Sequence, residues 1–402
     1  MSEDGFEFIK GGTVTSPPGF RAGAVSAGIS NVPDKLDLGI LCAGSPCAAA
    51  GVFTRNRVQA APVILSRKRV EKGRASAIVV SSGCANAFTG EAGLNDAWEM
   101  TELAADLCGL SPDEVLVAST GVIGVRLPMA KVKQAMGKIL LKVDGGHDLA
   151  HAIMTTDTVP KEVAVRVRNG FTIGGIAKGS GMIHPDMGTL LGFLTTDAGV
   201  EPAFLQKALK KAVDISFNMV SVDGDTSTND CVFLLADGQA KGSVINEGSP
   251  LAGKFQKALD AVCIHLAREI ARDGEGATKL FQFTVLGAKN QSEARAAARA
   301  VTSSPLVKAA IHGADPNWGR IVAAVGRSGA AIEAARVDLK FGEVYLIKGG
   351  ALQLFDEGKV VAYLKGTEVS VTINLHLGRG KAIAWGCDLS KQYVAINSEY
   401  TS

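Results

Sequence analysis

Gly188 precedes Thr189 at the head of the apolar run 190–194, an order of residues that can carry acyl chemistry. A threonine hydroxyl can attack the carbonyl before it through a five-membered ring, and Gly188 has no Cβ to hinder the approach. Cleavage at that bond makes Thr189 a new N-terminus. Its α-amine, with a reference pKa of about 7.7–8.0, can then act as general base for its own hydroxyl. A Gly-Thr dipeptide by itself is far more often the ordinary start of a buried strand, so its surroundings must decide.

Several other residues have the right types for a site. Thr120 and Gly121 follow the strand-like run 115–118. A strand end of this kind can aim a hydroxyl and a backbone N–H at one point, as an oxyanion hole requires; the same residues also make a plain glycine turn. Lys178 leads Gly179-Ser180-Gly181, which lacks the G-x-x-x-x-G-K-[ST] order of a nucleotide-binding loop. It either meets the carboxylate of an amino-acid substrate or is a solvated surface lysine. Glu275 stands between Gly274 and Gly276, prominent enough to meet a substrate ammonium, or simply placed on an exposed turn. Asp223 and Asp225 lack the ligand spacing of a calcium loop and read as a structural or site-bordering turn. His147 and His151 are four residues apart without a His-Glu-x-x-His motif, so a solvent-facing pair and no metal are expected. Cys84 has no neighbouring histidine to activate it.

The wider block Lys178-Gly179-Ser180-Gly181-Met182 through Met187-Gly188-Thr189 to Thr195-Thr196-Asp197 resembles the ornithine acetyltransferase (glutamate N-acetyltransferase) family of arginine biosynthesis. Ser119-Thr120-Gly121-Val122-Ile123-Gly124, Met154-Thr155-Thr156-Asp157-Thr158 and Ser221 through Asp230 match further family blocks. So do Gly274-Glu275-Gly276-Ala277-Thr278-Lys279, Gly313 through Arg320 and the C-terminal Asn397-Ser398-Glu399-Tyr400-Thr401-Ser402. The blocks run in family order over nearly the whole chain. Three departures stand out: Gly188 where the family has Ala, Cys84 where it has Asn, and Ser402 where it commonly has Thr.

The resemblance implies self-cleavage at Gly188-Thr189, with Thr189 as nucleophile and Thr120 and Gly121 as the oxyanion hole. It implies substrate binding by Thr155, Lys178, Thr189, Glu275, Asn397 and Ser402; of these, Thr155, Asn397 and Ser402 carry no indication of their own. It also implies an α fragment (1–188) holding the oxyanion hole and a β fragment (189–402) beginning with the nucleophile. The two stay interlocked as one unit and associate as a heterotetramer of two of each. The implied substrates are N-acetylornithine and glutamate, with no cofactor and acetyl-CoA as a second donor.

Composition agrees with a large enzyme. The chain has 402 residues, 47% of them hydrophobic, and a net charge of +2. Balanced charge and 5% aromatics argue against nucleic-acid binding. Seven irregularly spaced cysteines without a Cys-x-x-Cys read as reduced thiols of a cytoplasmic protein. No run suggests a secretion signal or a membrane span.

The elements that must hold these groups follow from periodicity. Residues 77–80 and 115–118 read as strands, with a turn at 81–84, and 91–108 has helical spacing. Pro128 reads as a first helical residue ahead of 129–143. Val163, Val165 and Val167 alternate, and Asn169-Gly170 turns a hairpin into 171–176, which delivers the chain to Lys178. Residues 190–194 read as a buried strand; 202–213 and 252–271 as amphipathic helices; 281–286, 369–375 and 382–385 as strands. Helices mixed with hairpins, without regular βαβ alternation, argue for a layered α/β or α+β enzyme and not a barrel; the resemblance implies the mixed layered α/β sandwich of the ornithine acetyltransferase type.

The sequence therefore reads as an acetyltransferase working by double displacement. Two alternatives remain: a self-processing aminopeptidase or amidase with water as acceptor, and a non-catalytic amino-acid-binding protein.

Overall fold

The computed structural model describes residues 5–184 and 190–399. The layered α/β expectation holds: two sheets stack face to face and helices cover both outer sides. The six-stranded sheet has the order Phe6–Phe8, Lys161–Val167, Thr172–Lys178, Leu191–Thr196, Cys231–Ala236, Ala48–Phe53. Its neighbours run antiparallel except Leu191–Thr196 and Cys231–Ala236, which are parallel. The four-stranded sheet has the order Phe20–Val25, Leu38–Ala43, Ala77–Cys84, Val115–Val122, the last pair parallel.

Strand periodicity explains the stacking. Leu191, Phe193, Cys231, Phe233 and Leu235 point toward the four-stranded sheet and meet Leu41, Ile78, Val80 and Leu116. The Phe193 and Phe233 rings stack with centroids 5.9 Å apart. The alternate residues Leu194, Val232 and Leu234 face the other way, onto helices Pro202–Ile215 and Ala252–Arg272. Both faces are buried, which is why 190–194 reads as an unbroken apolar run. Helices Ala61–Val70, Gly90–Cys108 and Met129–Met136 cover the outside of the four-stranded sheet.

A seven-stranded sheet lies beyond, in the order Val220–Ser221, Gly380–Cys387, Leu280–Ala288, Glu368–Asn374, Asp338–Phe341, Val344–Lys348, Ala351–Leu352. Helix Ala252–Arg272 joins it to the six-stranded sheet. Its buried Phe255, Leu259, Val262, Leu266 and Ile270 recur at helical spacing within the core shared by both sheets. This helix ends at Arg272 and so delivers Asp273, Gly274 and Glu275 to the rim of the stacked sheets.

The hairpin at Asn169-Gly170 is present, with Asn169 in the left-handed region at φ 51°. Two expectations are corrected. The strand from Ala77 does not turn at 81–84; it continues to Cys84, because Ser81, Ser82 and Gly83 pair with Ser119, Thr120 and Gly121. The helix after Pro128 stops at Met136 and not at 143, with Gly137 at its C-cap. Among the described residues no helix is long and apolar enough to cross a membrane.

Candidate active site

The parallel pairing of Ala77–Cys84 with Val115–Val122 brings two glycines together at the strand ends. Gly121 has φ +127°, and a Cβ there would lie 2.4 Å from the Gly83 carbonyl carbon. Only glycine fits, and the tight approach sets Thr120 and the Gly121 backbone on the wall of a cavity of about 260 Å³. These two residues belong to the last turn of the strand ladder, not to a loop after it.

Lys178 enters the cavity from the neighbouring sheet. It ends strand Thr172–Lys178 opposite Leu191, and its Nζ lies 3.4 Å from Thr120 Oγ1. Lys178 is buried, at 8% exposure, so the solvated alternative is excluded. Burial pushes its ammonium below the ordinary lysine range, and Asp157 opposes that shift.

Thr155, Glu275 and Asn397 line the same cavity. Asn397 Nδ2 donates to Glu275 Oε2 at 2.9 Å, so the C-terminal helix Lys391–Glu399 closes over the glutamate. The glycines around Glu275 act differently from the sequence expectation. A Cβ at Gly276 would meet the Tyr393 nitrogen at 2.5 Å, and one at Gly274 the Cys387 sulfur at 2.8 Å. They permit close packing beneath the loop. Gly181 lets the Glu275 carboxylate come close to the backbone, since a Cβ there would meet it at 2.5 Å.

Asp223 accepts from the Ile183 backbone N–H at 2.9 Å and from Met182, tying the chain after Gly181 to a turn at the cavity's edge. His147 pairs with Glu162 at 2.9 Å instead of with His151. Cys84 is buried, its thiol donates to the Val125 carbonyl at 3.2 Å, and burial pushes its ionisation up, which suits no nucleophile. Gly188, Thr189 and Ser402 lie outside the described residues. The residue after Thr189, Leu190, lines the cavity.

Sequence reasoning assigned no role to Asp157, Lys161, Asn229 or Asp230. Asn229 Nδ2 donates to the Ala85 and Ser119 carbonyls at 2.6 and 2.7 Å, fastening strand Cys231–Ala236 to strand Val115–Val122. Lys161 is fully buried between two aspartates. The pairs Lys161–Asp273 and Asn229–Ser119, each more than a hundred residues apart, leave no trace in local spacing. A larger cleft of about 670 Å³ lies between strand Ala48–Phe53 and helix Pro202–Ile215, but none of the expected groups lines it.

A hydroxyl beside a glycine N–H, facing a buried ammonium and a carboxylate across one amino-acid-sized cavity between stacked sheets, marks an enzyme that transfers acyl groups. The model of the ArgJ family matches residues 21–402. The chain is 52% identical over 400 residues to the arginine biosynthesis bifunctional protein ArgJ of Dehalococcoides mccartyi, covering 98% of this chain and 99% of that one. It is 53% identical over 400 residues to the protein of the same name from Symbiobacterium thermophilum, with the same coverage. A crystal structure of arginine biosynthesis bifunctional protein argJ from Bacillus halodurans aligns with a TM-score of 0.50 and 44% identity. It covers 51% of this chain and 97% of the solved chain. This chain belongs to the ArgJ family.

Proposed function

We propose that this enzyme moves the acetyl group of N2-acetylornithine to glutamate by double displacement at Thr189, giving ornithine and N-acetylglutamate for arginine biosynthesis. One observation carries the assignment of residues: Thr120, Gly121, Thr155, Lys178, Glu275 and Asn397 converge on a single cavity that Leu190, the residue after Thr189, also lines.

Maturation comes first. The Thr189 hydroxyl attacks the Gly188 carbonyl, the C–N bond breaks so that the ester forms and the Thr189 α-amine is freed, and water then hydrolyses the ester to the Gly188 carboxylate and the restored Thr189 hydroxyl. In the mature site the α-amine takes the hydroxyl proton as Thr189 Oγ attacks the acetyl carbon. The Thr120 hydroxyl and the Gly121 N–H receive the developing oxyanion. The C–N bond breaks, the proton passes to the leaving amine, and ornithine departs from an acetyl-threonine ester. Glutamate enters the same cavity, its amine attacks the ester, and N-acetylglutamate leaves with Thr189 restored. Lys178 holds the substrate carboxylate; Glu275, held by Asn397, receives a substrate ammonium, and Thr155 and Ser402 complete the grip.

No redox or cofactor step is required. The bifunctional name of the relatives supports acetyl-CoA as a second donor to the same threonine. The division into fragments 1–188 and 189–402 is supported by the Bacillus halodurans chain, which is matched nearly in full by about half of this one. Two fragments of each kind would form a heterotetramer. Seven free thiols suit the reducing cytoplasm.

Initial-rate plots against acetylornithine at several fixed glutamate concentrations should be parallel, and acetylornithine alone should add one acetyl group at Thr189. Intersecting lines without an acetylated fragment would instead establish direct transfer. Rapid acetate release without glutamate would establish the amidase alternative.

A further inference from the structure

Three segments that grip the substrate in the proposed reaction are tied together around one buried carboxylate, two of them directly and the third through Lys161. Asp157 Oδ2 accepts the backbone N–H of Thr155 at 3.0 Å, and Asp157 Oδ1 accepts the N–H of Gly179, next to Lys178, at 2.7 Å. Oδ1 also accepts from Lys161 Nζ at 2.7 Å, and the same ammonium reaches Asp273 Oδ2 at 2.6 Å. Asp273 stands two residues before Glu275 and is anchored in turn by the Thr158 N–H at 3.0 Å and the Thr158 hydroxyl. The side chains of Asp157, Lys161 and Asp273 are 0, 1 and 7% exposed.

Ion pairs this deeply buried add little stability over apolar packing of the same volume, so their charges call for another explanation. The Lys178 ammonium supplies one. Burial alone favours its neutral form, which grips no carboxylate. The charged groups that act on it are Asp157 from the preceding loop, Lys161 from its neighbouring strand, Asp230 from the start of Cys231–Ala236 and Glu275 from the facing loop. Lys35, whose Nζ donates to the Met154 carbonyl at 2.6 Å, adds a further positive charge from the loop 26–37. Asp157 is the foremost of the attractive partners, and it is itself held ionised against burial by Lys178 and Lys161.

We propose that Asp157 is a positioning residue for substrate recognition: it is the counter-charge that keeps Lys178 cationic, and with Lys161 and Asp273 it fixes Thr155, Lys178 and Glu275 relative to one another. The proposal rests on Lys178 gripping the substrate carboxylate. Its chemistry is carboxylate recognition that depends on a second, untouched carboxylate behind the lysine.

The test is the pH profile of kcat/KM for acetylornithine, whose own ionisation is common to all variants. Asp157→Asn keeps shape and one acceptor oxygen but removes the charge. Its alkaline limb should move to lower pH, and at a pH above that limb KM should rise about tenfold while kcat changes little, as for loss of one charge-assisted contact. Asp157→Glu should keep the limb near that of the wild type. Lys161→Gln removes a like charge from beside Lys178, so its limb should move to higher pH. Damage to packing would move both limbs the same way, so opposite movement identifies the electrostatic role, and Lys161→Gln alone decides if Asp157→Asn does not fold. A stationary limb in Asp157→Asn, or a downward one in Lys161→Gln, overturns the proposal. Lys178→Met separates the two levels: retained carboxylate affinity there refutes the role given to Lys178 itself, whereas lost affinity with a stationary Asp157→Asn limb refutes only the present inference.

Discussion

Lys178 Nζ donates to Thr120 Oγ1 across 3.4 Å, joining the ends of two different sheets at the cavity wall. A hydroxyl has one proton to give and two lone pairs to receive with. The ammonium occupies a lone pair, so the Thr120 proton stays free to point at an oxyanion, and the nearby positive charge favours that oxyanion further.

Thr120→Ala should therefore lower kcat by about a hundredfold or more, the usual effect of losing one oxyanion donor. KM should change much less, because the oxyanion exists only near the transition state. Steady-state kinetics with acetylornithine and glutamate check this; normal turnover would remove Thr120 from the mechanism.

Denaturing gels and intact mass should show two fragments of roughly 19 and 22 kDa by residue share, the larger beginning at Thr189. Thr189→Ala should run as a single chain, since no hydroxyl remains to attack Gly188. An active enzyme that is wholly uncut would end the self-cleavage proposal.

Gly121→Ala should be costly to the fold as well as to the site. Its φ of +127° disfavours any side chain, and the new Cβ would sit 2.4 Å from the backbone of Gly83. Backbone strain alone is worth about 1–3 kcal/mol. Urea unfolding should show a loss at least that large; an unchanged midpoint would mean that the two strands separate easily here.

Asp237 gives a pH prediction for stability. Burial, with a contribution from Asp197, pushes its carboxyl up to about 6, and among the described residues its Oδ2 has no hydrogen-bond partner. The folded pKa lies above the unfolded value of about 3.9. The protonated form is thus favoured in the fold, and stability falls as pH rises from the unfolded value through the folded one. Asp237→Asn, which resembles the protonated form, should raise Tm at pH 8 and lose that advantage progressively as pH falls from about 6 to the unfolded value of about 3.9. An equal gain at both pH values would show that charge is not the cause.

What the sequence made legible was local. Asn169-Gly170 between alternating valines disclosed its hairpin, and helix Ala252–Arg272 followed from its apolar spacing. The run 190–194 betrayed a strand with both faces buried, yet not its parallel partner 231–236, because pairing over forty residues is decided by packing. Ser81-Ser82-Gly83 looked like a turn since small polar residues usually make one; here they continue a strand because Gly121 lies against Gly83. For the site, family motifs brought Thr120, Lys178, Glu275 and Asn397 to attention, and folding put them on one cavity. Lys161 was invisible: a lysine opening a strand ordinarily faces water, and its burial rests on Asp273, 112 residues away, as well as on Asp157 four residues before it.

The six-stranded sheet takes four strands from before residue 188 and two from after it, and the two later ones lie between Thr172–Lys178 and Ala48–Phe53. A molecule cut at 188 is thus threaded through itself. Neither piece can leave without opening ladders on both flanks, so pieces from different molecules should not trade places once folded. Each unit cut there would inherit both of its pieces from a single translated chain, and in a cell making two alleles of this protein every site would be purely of one parentage within its own unit.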